Sequence, residues 1–312
     1  MSIEIKIHDV GHGACAVITC DDGYRIMIDC GRDDRWSPSS HYPFGSIHAL
    51  LISNLDEDHL ADFDAVSSHV QPGMIVANPT ITFDALTRLK SASGGMGSGV
   101  SAFAEMLRWR LPGIWRHNTR FVGEPSRVQI TYGWNYEAAF PNNTNNLSLL
   151  TVVQHGTFKI VFAGDLETAG WRNLLVNATI KEALAGTNVL IASHHGRENG
   201  QSDEAMTLMN PNVVIFSDSR MQHDSQETNE WYRSHVPGIR EITTFGIEPK
   251  RRHVFTTRRD GTITIEADTT GVYDLFPGGE NRVFRYRWDP GAFSNSWDYK
   301  QLMRMMAAKY SP

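Results

Sequence analysis

The chain has 312 residues, a hydrophobic fraction of 41%, a charged fraction of 21% and a formal net charge of −6. That composition excludes a disordered or collagen-like chain and leaves room for one large domain or two modest ones. No run approaches the roughly 18 apolar residues of a membrane span, and the negative balance means that any polyanion has to meet a local basic patch.

Residues 1–10 alternate Ile3, Ile5 and Ile7 with Glu4, Lys6 and His8. This is the period of a half-buried strand and not a signal peptide, so a cytoplasmic protein is expected. Apolar runs at 14–20 and 24–30 follow, joined by the turns Gly11-His12-Gly13 and Asp21-Asp22-Gly23. Cys15, Cys20 and Cys30 lie in these runs; an odd count without a CxxC pair predicts buried thiols, not disulfides. Residues 48–54 form a strand that ends at the acidic run Asp56-Glu57-Asp58-His59, after which 60–70 read as a helix and 74–77 as a strand. From 79 to 125 the pattern is that of a helical insertion: helices at 83–91 and 101–110 flank a glycine-rich stretch that reads as a lid or as an ordinary surface loop. Strands at 128–134, 147–154 and 158–163, an amphipathic helix at 167–185, and strands at 189–193, 213–217 and 240–245 come next. A last hairpin is predicted around Asp260-Gly261. Strand-rich halves with interleaved helices predict a layered α/β sandwich over 1–268. Residues 269–312 read as a C-terminal extension, helical near its end.

Three segments place metal-competent side chains just after an apolar strand: Asp56-Glu57-Asp58-His59, Gly164-Asp165 and Ser193-His194-His195-Gly196. Loops at strand ends are where open α/β architectures hold ligands, and carboxylates with imidazoles suit hard and borderline divalent ions. Each segment alone reads as an ordinary turn. Four carboxylates and three imidazoles arriving together from buried strands would be costly to cluster without a cation.

The order of these motifs resembles the metallo-β-lactamase superfamily, and within it the ComEC-type branch, a metal-hydrolase domain attached to a DNA-uptake channel. The resemblance runs through Asp9-Val10-Gly11-His12-Gly13, Ile28-Asp29-Cys30-Gly31, Asn54-Leu55-Asp56-Glu57-Asp58-His59 and Asn145-Asn146-Leu147-Ser148-Leu149. It implies a four-layer αββα sandwich, two divalent ions, and hydrolysis by a metal-bound hydroxide. Carried over residue by residue, it makes Asp58, His59, Asp165 and His194 the leading ligands, with Asp165 bridging the ions. Asp56 and Asn54 then serve the other ion, His195 is a ligand or a proton donor, and His223 is a further candidate. Where the family has histidine, glutamine and serine, this chain has Asn54, His12 and Arg197. Asn54 is a weaker ligand, His12 adds an imidazole or fills a turn, and Arg197 clamps an oxyanion or sits on the surface. Carboxylates and Asn54 in place of histidines make manganese or magnesium plausible beside zinc.

The expected catalytic set is therefore Asp58, His195 and Arg197. No Gly-Xaa-Ser-Xaa-Gly elbow offers a nucleophile instead. The branch implies a phosphodiesterase or nuclease acting on DNA or RNA. Arg108, Arg110, Arg116, Arg120 and Arg127, the run Lys250-Arg251-Arg252, and Arg258-Arg259 give local support. Trp109, Trp115, Phe121 and Trp134 could stack bases; the same residues also read as solvated helix faces and core. The competing readings are a hydrolase of small phosphoesters, thioesters or lactones, and a degenerate subunit that keeps the fold without full catalysis, for which Asn54 is the warrant.

Overall fold

The computed structural model describes residues 2–92, 94–109, 120–123, 128–219, 228–243, 246–278 and 282–286. Alternating side chains along the strands dictate two sheets stacked face to face. The first has ten strands, in the order Gly246–Arg252, Ile239–Thr243, Val283–Tyr286, Tyr273–Pro277, Ile263–Asp268, Ser2–Ile7, Ala16–Thr19, Arg25–Ile28, Ala49–Leu51 and Met74–Val76. The second has seven: Val254–Thr256, Val213–Phe216, Val189–Ile191, Phe158–Phe162, Leu149–His155, Val128–Trp134 and Arg120–Gly123.

The period of two sorts the apolar residues into three cores. Ile5, Ile18, Ile130, Ile160 and Ile215 point between the sheets. Their chain neighbours Val17, Met27 and Leu50 turn outward on the first sheet, where Leu60, Leu86 and Phe103 of the helices Glu57–Leu60, Phe83–Ala92 and Ser98–Trp109 cover them. On the second sheet, Val161, Leu190 and Val214 turn outward under Trp171, Ile180, Met206 and Tyr232. Helix, sheet, sheet, helix is the expected four-layer order, and it follows from both sheets being apolar on both faces. Phe158 sits at the centre of the inner layer, fully buried and edge-on to Tyr273 at 5.4 Å. Phe158→Ala is expected to cost about 3–5 kcal/mol of stability, read from the denaturant midpoint at unchanged m-value.

Several local expectations are corrected. The run at 167–185 is two helices, Thr168–Leu174 and Ala178–Leu184, because the Asn177 side chain accepts from the Thr179 N–H at 2.9 Å and restarts the helix. Residues 60–70 break into short helical pieces ending in a π-turn, Val66–Val70. Asp260-Gly261 does not turn a hairpin: Val254–Thr256 lies parallel to Val213–Phe216 in the second sheet, while Ile263–Asp268 joins the first. The Asp260 carboxylate accepts from the Thr256 N–H at 2.9 Å and pairs with Arg252, closing a helical turn. Past residue 268, Tyr273–Pro277 and Val283–Tyr286 extend the first sheet by two strands. The predicted helix at 299–309 lies outside the described residues. All three cysteines are buried, and none is in a disulfide. Among the described residues no helix is long and apolar enough to cross a membrane.

The glycine-rich stretch docks against the sheet-covering helices. Glu57 accepts from the Gly99 and Val100 N–H groups at 2.9 and 3.0 Å, capping the helix Ser98–Trp109. A side chain at Gly99 would meet the Leu60 carbonyl at 1.8 Å.

Candidate metal centre

Arg25–Ile28 and Ala49–Leu51 run parallel in the first sheet, and Phe158–Phe162, Val189–Ile191 and Val213–Phe216 run parallel in the second. Their carboxyl ends meet at one edge of the sandwich, so the loops that follow converge: Asp29, then Ser53 to His59, then Asp165, His194-His195 and Ser217-Asp218. Gly13 and Gly31 let the chain close on this edge, because a Cβ at either would stand 2.5 Å from the Asp58 carbonyl. Asp29, His194 and His195 hold positive φ (59°, 50° and 54°), backbone strain concentrated around one cluster.

Asp58, His59, Asp165 and His195 each offer an atom within 4.8 Å of the others. His59 Nε2 lies 3.1 Å from Asp165 Oδ1, and His195 Nε2 lies 3.0 Å from Asp58 Oδ2 and 3.6 Å from Asp165 Oδ1. Both Nε2 atoms and Asp165 Oδ1 are buried without an aligned hydrogen bond. The opposite ring nitrogens are spent. His59 Nδ1 donates to Asp29 Oδ2 at 2.8 Å, and His195 Nδ1 donates to the Ser217 carbonyl at 2.6 Å. Asp29 is itself held by the Ser53 N–H at 2.6 Å and by the Ser53 hydroxyl. These bonds select the tautomers that leave lone pairs on Nε2, aimed at carboxylate oxygens.

Lone pair facing lone pair is repulsive unless a proton or a metal cation stands between them. Burial pushes the His59 imidazole down, but Asp165, Asp29 and Asp58 outweigh it and hold the pKa well above 6.5. His195 is raised in the same way by Asp165 and Asp58 against burial. Burial would raise Asp165, yet His59 and His195 hold it at about 2; Asp58 is lowered against burial by His59, with His195 and His12 adding to the pull. The cluster grips positive charge. Two imidazoles and two carboxylates with orphaned buried atoms fit a divalent ion of borderline hardness. Asp29→Asn is expected to weaken metal binding about 10- to 100-fold, measured by competition with a chromogenic chelator.

The cluster takes in Asp58, His59, Asp165 and His195; the other expected residues lie around or away from it. His194 stands beside it with a buried, unpartnered Nδ1, its ring centroid 6.5 Å from that of His195. Asn54 and Asp56, expected to face an ion, have other partners in this structure. Asn54 Oδ1 accepts from the N–H groups of Leu55 and Asp56, and Asp56 pairs with Lys90. Arg197 lies at the rim, its NH1 3.5 Å from His194 Nε2 and its NH2 3.4 Å from His12 Nε2. His12 is 3.6 Å from Asp58 Oδ2, so it faces the cluster and does more than fill a turn. His223, Arg110, Arg116, Arg127 and Trp115 lie outside the described residues, as do the side chains of Arg120 and Phe121.

Asp29, Ser217, Lys90 and Asp218 were not singled out from the sequence. Asp29 had a signal, the Ile-Asp-Xaa-Gly motif, but its part depends on a ring 30 residues away. Asp218 is buried and pairs with Arg258 at 3.0 Å; burial raises its carboxyl to about 7 although Arg258 pulls it down.

No family model matches the sequence, and no curated protein matches it. Among solved structures the chain is similar to the metallo-β-lactamase fold protein YhfI from Bacillus subtilis, at 11% identity and a TM-score of 0.49, over 86% of this chain and 100% of that one. It is similar to Zn²⁺-bound PqqB from Methylobacterium extorquens at 16% identity and a TM-score of 0.37, over 61% and 72% of the two chains. A third similarity is to CmlA, a diiron β-hydroxylase from Streptomyces venezuelae, at 10% identity and a TM-score of 0.44, over 75% and 51%. At these values the likeness is one of chain course and carries no activity across. Four layers, two stacked mixed sheets and a His/Asp cluster at the carboxyl ends of their parallel strands are the arrangement that the motif resemblance to the metallo-β-lactamase superfamily implies.

Proposed function

We propose that the protein is a metal-dependent hydrolase of phosphodiesters, acting on nucleic acid in the manner of the ComEC-type branch its motifs resemble. Asp58, His59, Asp165 and His195 would hold the ion, with zinc or manganese the best fit to a mixed imidazole and carboxylate set. A divalent ion held there lowers the pKa of water and offsets charge that grows on the attacked centre.

The observation that carries the substrate class is Arg197. Its guanidinium lies between two imidazole nitrogens at the rim of the cluster, and its Nε is buried with no partner. A cation held beside an acidic centre, with no carboxylate ion pair among the described residues, is placed to receive an anion, and the guanidinium fork matches a phosphate. Room for a polymeric substrate is offered by a cleft of about 690 Å³ whose lining mixes Lys250, Arg251 and Arg259 with Glu230, Glu241 and Glu248. Its Arg258 pairs with Asp218, the residue after Ser217, whose carbonyl orients His195. Arg108 stacks on Phe83 at 4.2 Å instead, and Trp134 packs on the inter-sheet core.

The test is hydrolysis of bis-p-nitrophenyl phosphate and of labelled single-stranded, linear and circular DNA by protein reloaded with zinc or manganese. Cleavage of DNA is expected, with kcat/KM falling about 100-fold in Arg197→Ala. Turnover of the small diester without any DNA cleavage would move the substrate to small phosphoesters. Turnover of uncharged esters alone, unaffected by Arg197→Ala, would sink the phosphodiester reading.

A further inference from the structure

The acidic run Asp56-Glu57-Asp58 holds three carboxylates, and the fold commits them to three different positive partners. Only Asp58 reaches the cluster of His59, Asp165 and His195. Glu57 is spent on the amides that open the helix Ser98–Trp109. Asp56 Oδ1 takes the ammonium of Lys90, from the helix Phe83–Ala92, and the Thr144 hydroxyl at 3.0 Å. The Lys90 side chain is only 7% exposed, so its charge is fixed in place and not a surface pairing.

The groups around Asp56 are satisfied internally as well. Asn54 is 1% exposed, with its Oδ1 on two backbone N–H groups and its Nδ2 donating to Asn145 Oδ1 at 3.4 Å. This is the reverse of the neighbouring cluster, whose imidazole Nε2 atoms and Asp165 Oδ1 are buried and unpartnered. A divalent ion beside Asp56 would have to displace the Lys90 ammonium, which is 7% exposed, or sit against it, and like charges at that range repel. Asn54, a neutral amide already hydrogen-bonded, offers little in return.

We infer that the metal centre is mononuclear, and that the Lys90 ammonium stands as a built-in cation on the Asp56 side, where the motif resemblance places a second ion. This rests on the proposed metal site but concerns the number of ions and the residue that sets it. It also separates two roles within one short run: Asp58 for a metal, Asp56 for a lysine.

The test is metal stoichiometry, independent of activity. Full-length protein is stripped with chelator and titrated with Zn²⁺ by calorimetry, and bound metal is measured after desalting. One equivalent is expected for the wild type and also for Asp56→Asn. In Lys90→Ala a second, weaker step is expected, and it should vanish in the double variant with Asp56→Asn. Two tight equivalents in the wild type, falling to one in Asp56→Asn, would overturn the inference and leave the metal site standing. A single step in folded Lys90→Ala would overturn Lys90 as the excluding group. No bound ion in the wild type would remove the metal reading and this inference together. If Lys90→Ala fails to fold, the wild type and Asp56→Asn decide the ion count between them.

Discussion

Asp58→Ala is expected to abolish hydrolysis, with kcat/KM falling about 1,000-fold or more, because the change removes a ligand and the charge that helps hold the ion. Asp58 Oδ2 faces His195 Nε2 at 3.0 Å across the cluster, so the variant leaves that imidazole with Asp165 Oδ1, at 3.6 Å, as its nearest carboxylate in the cluster. Bound metal measured after desalting should fall with activity. Two controls separate this from general damage. Asp56→Asn should keep the ion, since its carboxylate faces Lys90, and Glu57→Gln should keep it too, since its oxygens cap a helix. Hydrolysis that survives Asp58→Ala unaltered would refute the site assignment. Circular dichroism and thermal unfolding of the variant show whether the fold persists, and it should, because Asp58 is 23% exposed and lies outside the three cores.

Stripping the ion is the second large effect. A ligand present at a thousandfold its Kd stabilises the folded state by about 4 kcal/mol, so chelation should lower Tm by roughly 5–10 °C at this chain length. The pH dependence has a defined sign. In the metal-free protein His59 and His195 are raised above 6.5 by their carboxylates against burial. Their contribution is fully present below 6.5 and is lost as pH rises through the folded values. Asp165, held at about 2, contributes above 3.8, and that contribution fades as pH falls toward 2. The ion competes with the His59 and His195 protons, so its affinity falls as pH drops through the same raised values. The gap in Tm between loaded and stripped protein should therefore widen from pH 6 to pH 8. A gap that is constant across that range would show that neither imidazole gives up a proton to the metal.

Much of the architecture is legible along the chain because its causes are local. Alternation in Ile3, Ile5 and Ile7, and the paired inward and outward residues of later strands, dictate sheets that bury both faces. Helical spacing supplies the outer layers. Where local signals compete, reading along the chain fails for identifiable reasons. Asp260-Gly261 has the look of a hairpin turn, but Val254–Thr256 pairs in parallel with Val213–Phe216 in the other sheet. The helix expected at 167–185 is interrupted by a capping asparagine whose effect depends on the backbone angle it adopts.

By itself the sequence pointed to metal-competent side chains at strand ends, and the fold brings Asp58, His59, Asp165 and His195 of that set within 4.8 Å of one another. Strand ends are local features, and so is the chemistry of a side chain. Only the tertiary structure decided that His195 and not His194 closes the cluster, because the choice depends on which ring reaches the Ser217 carbonyl. The same holds for Asp29 orienting His59, and for Lys90 crossing from its helix to neutralise Asp56, over separations of 30 and 34 residues. Whether a carboxylate serves a metal, a helix or a lysine is settled by what is buried beside it, and burial is a property of the folded chain.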